Sequence, residues 1–473
     1  MKKLNELIEC SYDIPIKGIK TSSANIQPGD LFICIDSKTM DRHLFIDDAI
    51  KKGAAAVIVK KDTKNKKVPI IKVTNPNKVF IDIINKYYNY PTRNLNMIGV
   101  TGTDGKTTVA TIIYELLEDC AYIGTNGIFY QEHQEKSPNT TPNLDKTMPI
   151  FDDMIAHHIK TVSIEVSSEG IYYGRVDGIK FNCSILTNIT KEHLNTHKTL
   201  ENYINCNCKL FDNTIGPCIL NKDDKHFQEV KTHCKTLYTY GKDQDNDLYF
   251  KDVKLNIDKT TFTIVYKNKE YKIISPLIAM FNVYNLCAAL LALISLGYDL
   301  EKLIPKIQNL HINGRLEQIN MGQNFKVIVD YAHTPNGIKN LLEFINSLNF
   351  NKKIVVFSEQ GERDKTKRPA KGYNVITNCD YAIVTSQDPR EENPLDIAND
   401  LISKVKDYNN YEIIIDRSKA IKKAINMAKD NDIVLILGKG SDDYQIIKDK
   451  VINFSDIKEA TKYLKEMLNK NIS

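Results

Sequence analysis

No stretch of this 473-residue chain is apolar for long enough to cross a bilayer. The most apolar window, Leu286 to Leu296, falls well short of the roughly 20 residues a spanning helix needs and reads as a buried helix. Residues 1–10 (Met-Lys-Lys-Leu-Asn-Glu-Leu-Ile-Glu-Cys) lack the uninterrupted apolar core of a signal peptide. Charge of one sign is not in excess either: 64 Lys and Arg face 59 Asp and Glu, and the net +5 is dispersed along the chain. Such a balance gives no reason to expect nucleic acid as a partner. The ten cysteines show no metal-type spacing. Cys206 and Cys208 form one Cys-x-Cys pair, but no second pair or nearby histidine completes a set, so reduced thiols in the cytosol are expected. Repeats and low-complexity tracts are missing. What these absences leave is an ordinary soluble, cytoplasmic protein of two to four domains, with small molecules as partners and a monomeric state expected.

Against that background one segment stands out. Residues 99–108 read Gly-Val-Thr-Gly-Thr-Asp-Gly-Lys-Thr-Thr, between the apolar run Leu95 to Val100 and a helix-like segment from Val109 to Cys120. Glycines let several backbone N–H groups converge on one anion, and the following helix adds its positive N-terminal end. Gly102, Thr103, Asp104, Gly105, Lys106, Thr107 and Thr108 are therefore expected to grip phosphates. Lys106 would place a cation on the terminal ones, and the Thr107 hydroxyl would ligate Mg²⁺. The strict phosphate-loop pattern is missed by one place, because Val100 stands where its first glycine belongs.

Three units follow from the pattern of runs and breaks. Residues 1–93 alternate strand-like segments (Leu31–Ile35, Ala54–Val59, Pro69–Val73) with helical ones (Leu44–Lys52, Asn77–Tyr88), ending at the break Tyr90-Pro91-Thr92-Arg93. Residues 94–311 open with the phosphate loop and continue through strands at Val162–Val166 and Cys183–Asn188. They then pass through a β-rich stretch over 235–275, read as an insertion, to the helix around Asn285–Leu296. In residues 312–473, strands Lys353–Phe357, Tyr381–Thr385 and Ile433–Leu437 each run into a polar loop. Ligands of open parallel sheets sit at such carboxyl ends, so loops 358–369, 386–394 and 438–444 are expected to wall one pocket. Gly438-Lys439-Gly440 starts like a dinucleotide fingerprint, but Asp443 replaces its third glycine, which speaks against a redox cofactor.

The order of the polar motifs is more specific than any one of them. Gly99–Thr108, Asn139-Thr140-Thr141-Pro142, Glu165-Val166-Ser167-Ser168, Thr187-Asn188…His193-Leu194, Asn282…Asn285, Gly314-Arg315 and Asp330-Tyr331-Ala332-His333-Thr334-Pro335 follow one another along the chain. Asp364-Lys365…Lys367-Arg368-Pro369, Asp388-Pro389-Arg390 and Gly438-Lys439-Gly440 complete the series. Together they resemble the Mur ligases over residues 20–450, most closely the branch that adds the third residue of the peptidoglycan stem peptide.

That resemblance implies an α/β, three-domain architecture: an N-terminal UDP-substrate domain, a central phosphate-loop ATPase domain with a parallel sheet, and a C-terminal Rossmann-like domain that takes the amino acid. It also implies an ATP- and Mg²⁺-dependent amide ligase, joining an amine to UDP-MurNAc-L-Ala-D-Glu through an acyl phosphate. By the same resemblance Lys106, Glu165 and His193 are catalytic, with Thr107 and Glu165 as ligands of Mg²⁺ and His193 as the ligand of a second metal. Asn282 and Arg315 would hold the ATP base and phosphates, and Asp330 the ribose. Thr140, Thr141, Ser167 and Arg175 would grip the muramyl peptide, and Ser22 and His43 the uridine diphosphate. Arg390 would bind the distal carboxylate of meso-diaminopimelate, with Arg363, Asp388, Gly438 and Asp442 around the same amine.

Several positions depart from the family pattern. Asp104 replaces an Asn, Glu169 a His, Asn195 an Asp, and Asp442 a Glu; Gln387-Asp388 replaces Asp-Asn, and Thr21-Ser22-Ser23 replaces Asp-Ser-Arg. The largest departure is Asn207, fourteen residues after His193, where relatives carry a lysine carbamylated to an anion beside the metal. Lys209, two places on, would point about 200° around the helix from that face. Two readings stay open at this level. Asn207 serves the catalytic position as a neutral ligand or hydrogen-bond acceptor in a working ligase. Alternatively, the chain is a divergent paralogue with another amine or acceptor, or a nucleotide-binding protein with weak or no ligation.

Overall fold

Residues 1–36, 40–64 and 67–470 are described in a computed structural model, so the last three residues of the unit expected over 312–473 lie outside it. Three α/β sheets organise the chain. The first has four parallel strands, Ile19–Lys20, Leu31–Ile33, Ala56–Val59 and Ile70–Lys72. Its helix Pro76–Tyr87 starts where sequence rules place it: the Asn75 side chain accepts from the Lys78 N–H, and Pro76 fills the first turn. Phe80, Ile83 and Ile84 of that helix join an apolar core that runs on into the central sheet through Met97 and Val162.

The central sheet has eleven strands, and the phosphate loop leaves its middle. Strand Asn96–Thr101 lies between Thr161–Glu165 and Cys183–Leu186, all parallel, with Glu165 level with Val100 and Leu186 level with Thr101. Three functional segments therefore start from neighbouring carboxyl ends. The residues from 235 to 275 are not an insertion. Strands Thr236–Gly241 and Leu248–Leu255 extend the sheet in parallel, and Thr260–Tyr266 and Lys269–Ser275 close its edge antiparallel. Their inward residues Phe250, Phe262, Ile264 and Ile273 bury against the same core as helix Met280–Ser295, which explains why this stretch belongs to the sheet.

Two helix bounds also differ from the sequence reading. The helix after the phosphate loop is Lys106–Leu116; Leu117 is extended, and Cys120 opens a strand, Cys120–Gly124. Every residue of that strand is buried, so no alternation marks it as a strand in the sequence. The helix expected from Asn285 starts at Met280, bringing Asn282 onto its first turn.

The third sheet runs in the order Glu317–Gln318, Lys326–Asp330, Ile433–Leu437, Lys353–Phe357, Tyr381–Val384 and Tyr411–Ile413, parallel except for its first pair. Asp330 is level with Leu437 and Phe357 with Val384, so the polar loops leave one edge together. Gly438 and Gly440 have positive φ but lead to strand Tyr444–Ile447 rather than to a helix, which removes the dinucleotide reading. All ten cysteines are free thiols. No helix among the described residues is long and apolar enough to cross a membrane.

Candidate active site

The carboxyl ends of the second and third sheets face one cleft of about 1310 Å³. It is lined by the phosphate loop, Thr140, Glu165, Ser167, Arg175, His193, Asn282, Arg315, Asp330, Arg363, Arg390, Gly438 and Asp442. Contacts between its two sides include Arg315 Nη2 to Thr107 Oγ1 (3.1 Å), Thr334 Oγ1 to Asp104 (3.1 Å), Lys367 Nζ to Glu192 (3.0 Å), Ser441 Oγ to Asn126 (2.9 Å) and Lys136 Nζ to Asp443 (2.8 Å).

Inside the phosphate loop, Gly102 has φ +130°, and a side chain there would collide with Thr187 Oγ1 at 2.1 Å. Only glycine fits that turn. Lys106 curls back onto the Gly102 and Thr103 carbonyls, at 2.8 Å each. Burial lowers its pKa, partly offset by Glu165 and Asp104. Burial conversely raises that of Asp104, so both members of the loop gain from a phosphate and its cation arriving. Glu165 is fully buried and accepts from Thr107 Oγ1 (2.9 Å), Tyr122 OH (2.6 Å) and the Thr125 N–H (2.9 Å). It forms no ion pair among the described residues. A buried carboxylate with hydroxyl neighbours and no cation is a hard oxygen donor set of the kind Mg²⁺ takes.

Beside it, Thr141 acts as a knot. Its hydroxyl donates to the Glu165 carbonyl (2.8 Å) and accepts from the Ser167 N–H (2.9 Å), while its carbonyl accepts from Arg175 Nη1 (3.2 Å). Thr141 itself is fully buried and does not line the cleft; it positions Ser167 and Arg175, which do. Arg175 Nε is buried without a partner, a donor held ready for an anion. Burial lowers the His193 pKa to about 4, leaving a neutral imidazole on the cleft wall.

On the opposite side, Asp388 does not line the cleft. It is buried beneath the pocket, accepting from Lys439 Nζ (3.2 Å), the Ile446 N–H (3.1 Å) and Gln360 Nε2 (3.3 Å), and so ties the three expected loops together. Arg390 sits at φ +53°, with Nε buried and unpartnered and Nη1 at 3.9 Å from Glu362. Asp442 faces the same space, its pKa pushed up to about 6 by burial. Gly314 lies against this loop, where a side chain would meet Ser441 N at 2.0 Å.

Several expected residues are placed elsewhere or are already engaged. Ser22 and His43 lie with the first sheet and do not line the cleft; His43 Nε2 accepts from the Lys60 and Lys61 N–H groups and Nδ1 meets Asp41. Asn207, expected at a catalytic position, is turned into the core. Its Oδ1 accepts from Thr101 Oγ1 (2.7 Å) and its Nδ2 donates to the Tyr203 carbonyl (2.8 Å), while Lys209 is exposed. The helix Leu200–Asp212 runs without interruption between them, so no change of register brings Lys209 round. Asp330 already accepts from the Leu316 and Ala332 N–H groups at 2.7 Å each, and Asn282 from Asn285 Nδ2. Tyr122, Thr125, Glu192 and Lys367 were not singled out by the sequence. Lys367 stands inside a quoted motif and Glu192 next to His193, so adjacency was the only available signal.

With this geometry in place, the comparisons agree on one class. Three family descriptions match in order: "Mur ligase family, catalytic domain" over 15–88, "Mur ligase middle domain" over 100–293, and "Mur ligase, glutamate ligase domain" over 314–440. The chain belongs to the Mur ligase family. Among its relatives, a UDP-N-acetylmuramoyl-L-alanyl-D-glutamate–2,6-diaminopimelate ligase of Clostridium tetani is 36% identical, covering 99% of both chains. The like-named protein of Clostridioides difficile is 36% identical over 98% of this chain and 100% of its own. A solved structure of that name superposes with TM-score 0.69 at 28% identity, covering 99% of each chain. The Thermotoga maritima MurF ligase in complex with ADP gives 0.67 at 19% identity over 97% and 99%, a likeness of fold.

Proposed function

We propose that this chain is an ATP-dependent amide ligase that joins meso-diaminopimelate to the terminal carboxylate of UDP-MurNAc-L-Ala-D-Glu in peptidoglycan precursor synthesis. The observation that carries this reading is the single cleft where Lys106, Thr107 and Glu165 face Arg363, Arg390 and Asp442. We place the units at 1–93, 94–311 and 312–473, with the uridine diphosphate on the first, near Ser22 and His43. The reading places it in the cytoplasm, as a monomer.

The chemistry begins with two anions, a carboxylate and a triphosphate, that must be brought together. The phosphate loop and Lys106 neutralise the phosphates, and Arg315 reaches across from the third sheet to the Thr107 hydroxyl. Thr107 and Glu165 would hold Mg²⁺, which when bound supplies further charge compensation on the phosphates. A substrate carboxylate oxygen then attacks the γ-phosphorus and ADP leaves. Arg175 and Ser167 orient the acyl donor. The amine nitrogen, presented by the Asp442 and Arg390 loops, attacks the acyl carbon, and phosphate leaves as the amide forms. Domain contacts across the cleft exclude water, which would otherwise hydrolyse the acyl phosphate.

The direct test is ADP release with ATP, Mg²⁺, the UDP-dipeptide and a panel of amines. Turnover with meso-diaminopimelate well above that with L-lysine is expected; a better amine elsewhere in the panel, or none, overturns the assignment. The raised pKa of Asp442 adds a pH signature. As a carboxylate it attracts the ammonium-bearing substrate, and below about pH 6 it becomes neutral. The attraction is therefore present above that value and lost as pH falls through it. Amine kcat/KM should drop on the acid side, and Asp442→Asn should flatten that limb; an unchanged limb in the variant removes Asp442 from amine binding.

A further inference from the structure

Glu169 stands on the cleft wall with one oxygen uncommitted. Ser167 caps the short helix Ser168–Tyr172 through the Gly170 N–H (3.0 Å), and this sets Glu169 in its first turn. The neighbouring turn Leu194–His197, which follows His193 at φ +57°, is stapled to that helix twice. Thr196 Oγ1 donates to Glu169 Oε1 (2.9 Å), and His197 Nε2 meets Ser168 Oγ (3.0 Å). These two bonds fix the His193 turn against the Glu169 turn, and both residues line the cleft. Among the described residues Glu169 Oε2 accepts no hydrogen bond, Glu169 forms no ion pair, and the His193 imidazole has no hydrogen-bond partner. Arg175, whose guanidinium is near enough to feel the charge of Glu169, directs Nη1 to the Thr141 carbonyl and forms no ion pair with Glu169 among the described residues.

A half-buried carboxylate that forms no ion pair is out of place where a triphosphate and a substrate carboxylate meet, because like charges there oppose binding. A divalent cation between them reverses the sign of the interaction. We propose that Glu169, from the Ser168–Tyr172 helix, supplies the anionic ligand beside His193 at the second metal site that the family resemblance implies. Asn207 does not supply that anion: its amide is neutral, fully buried and bonded on both atoms. Among the described residues no three His, Cys, Asp or Glu side chains gather as a cage, so water and substrate oxygens complete the shell, as Mg²⁺ prefers. Placing the anion at 169 lets the chain do without a charged side chain at 207. This rests on the ligase reading for its substrate oxygens but not for the ion itself.

The test counts ions rather than product. Free Mn²⁺ is followed by electron paramagnetic resonance as it is titrated into the full chain with a non-hydrolysable ATP analogue. Two bound Mn²⁺ are expected in the parent. Glu169→Gln should keep one and weaken the other at least tenfold, and Glu169→Asp should recover part of that loss. His193→Ala should weaken the same ion. A parental circular-dichroism spectrum and denaturation midpoint in each variant certify the fold. Two ions of parental affinity in Glu169→Gln, or only one in the parent, overturns the site. Two ions, one of them Glu169-dependent, without ADP release for any amine would leave the site standing and overturn the ligase reading. ADP release with a Glu169-independent ion count would do the reverse.

Discussion

Replacing Arg390 with alanine is expected to collapse discrimination between meso-diaminopimelate and L-lysine. The two amines differ by one carboxylate at the distal end. In the parent, that carboxylate would meet a guanidinium whose Nε is buried without a partner and whose nearest acid, Glu362, is 3.9 Å away. Lysine would leave those donors unpaired, and a site built to hydrogen-bond a missing group rejects the analogue by on the order of 10⁴. In Arg390→Ala, kcat/KM for diaminopimelate should therefore fall by on the order of 10³, while that for lysine changes only a few-fold. Arg390→Lys should recover little, because a point charge does not reproduce the two parallel hydrogen bonds of the guanidinium fork. Steady-state ADP release with each amine decides it. A ratio of the two kcat/KM values unchanged by Arg390→Ala would show that the distal carboxylate is read elsewhere.

What could be read ahead of the structure was local in sequence. The strand-turn-helix at 96–116 was legible because the glycines, the lysine and the threonines that shape it are neighbours, and the neighbouring apolar run is long. Strands Lys353–Phe357 and Ile433–Leu437 were read to the residue, since apolar runs bounded by polar loops leave one interpretation. Strand Cys120–Gly124 was not, because Cys-Ala-Tyr-Ile-Gly lacks the continuous branched aliphatic run of Ile433–Leu437, although both are buried throughout. The strands between 236 and 275 alternate plainly, yet nothing local says which sheet they extend.

The candidate site divides in the same way. Lys106 and Thr107 carry their chemistry in the adjacent pattern. Glu165 gains its surroundings from Tyr122 and Thr125, and Glu192 meets Lys367 from 175 residues away, pairings that only the fold creates. Thr141 and Asp388 were expected to touch substrates, yet both are buried and instead hold the residues and loops around them. Distinguishing a side chain that touches a ligand from one that props it needs the third dimension. Asn207 is the sharpest case. Its position along the chain matched a catalytic lysine, whereas its short amide reaches only Thr101 and Tyr203.

Charged residues of the C-terminal helices were the least legible of all, and one of them carries the largest expected stability effect. In the sequence Arg417 opens a lysine-rich segment in which no motif singles it out. In the fold it is buried with Asp456, the pair fully shielded from solvent. Arg417 Nε and Nη2 donate to the two carboxylate oxygens of Asp456 at 2.7 Å each, Nη1 donates to Ser358 Oγ, and Nη2 also to the Leu437 carbonyl. Removing one partner leaves a buried charge uncompensated, a loss of about 3–5 kcal/mol. Asp456→Ala is expected to lower unfolding free energy by that amount in denaturant titration. The joint change Arg417→Met with Asp456→Leu should restore most of it, because the desolvation cost disappears with both charges. Leu437 ends one of the strands that lead into the pocket loops, and Ser358 is the first residue after another. The single variant, assayed where it remains folded, should therefore raise KM for the amine several-fold while leaving KM for ATP near the parent value. A stability loss below about 1 kcal/mol would mean that water reaches the pair, as at a surface ion pair. Equal shifts in both KM values would mean that the pair supports the whole domain rather than the amine loops.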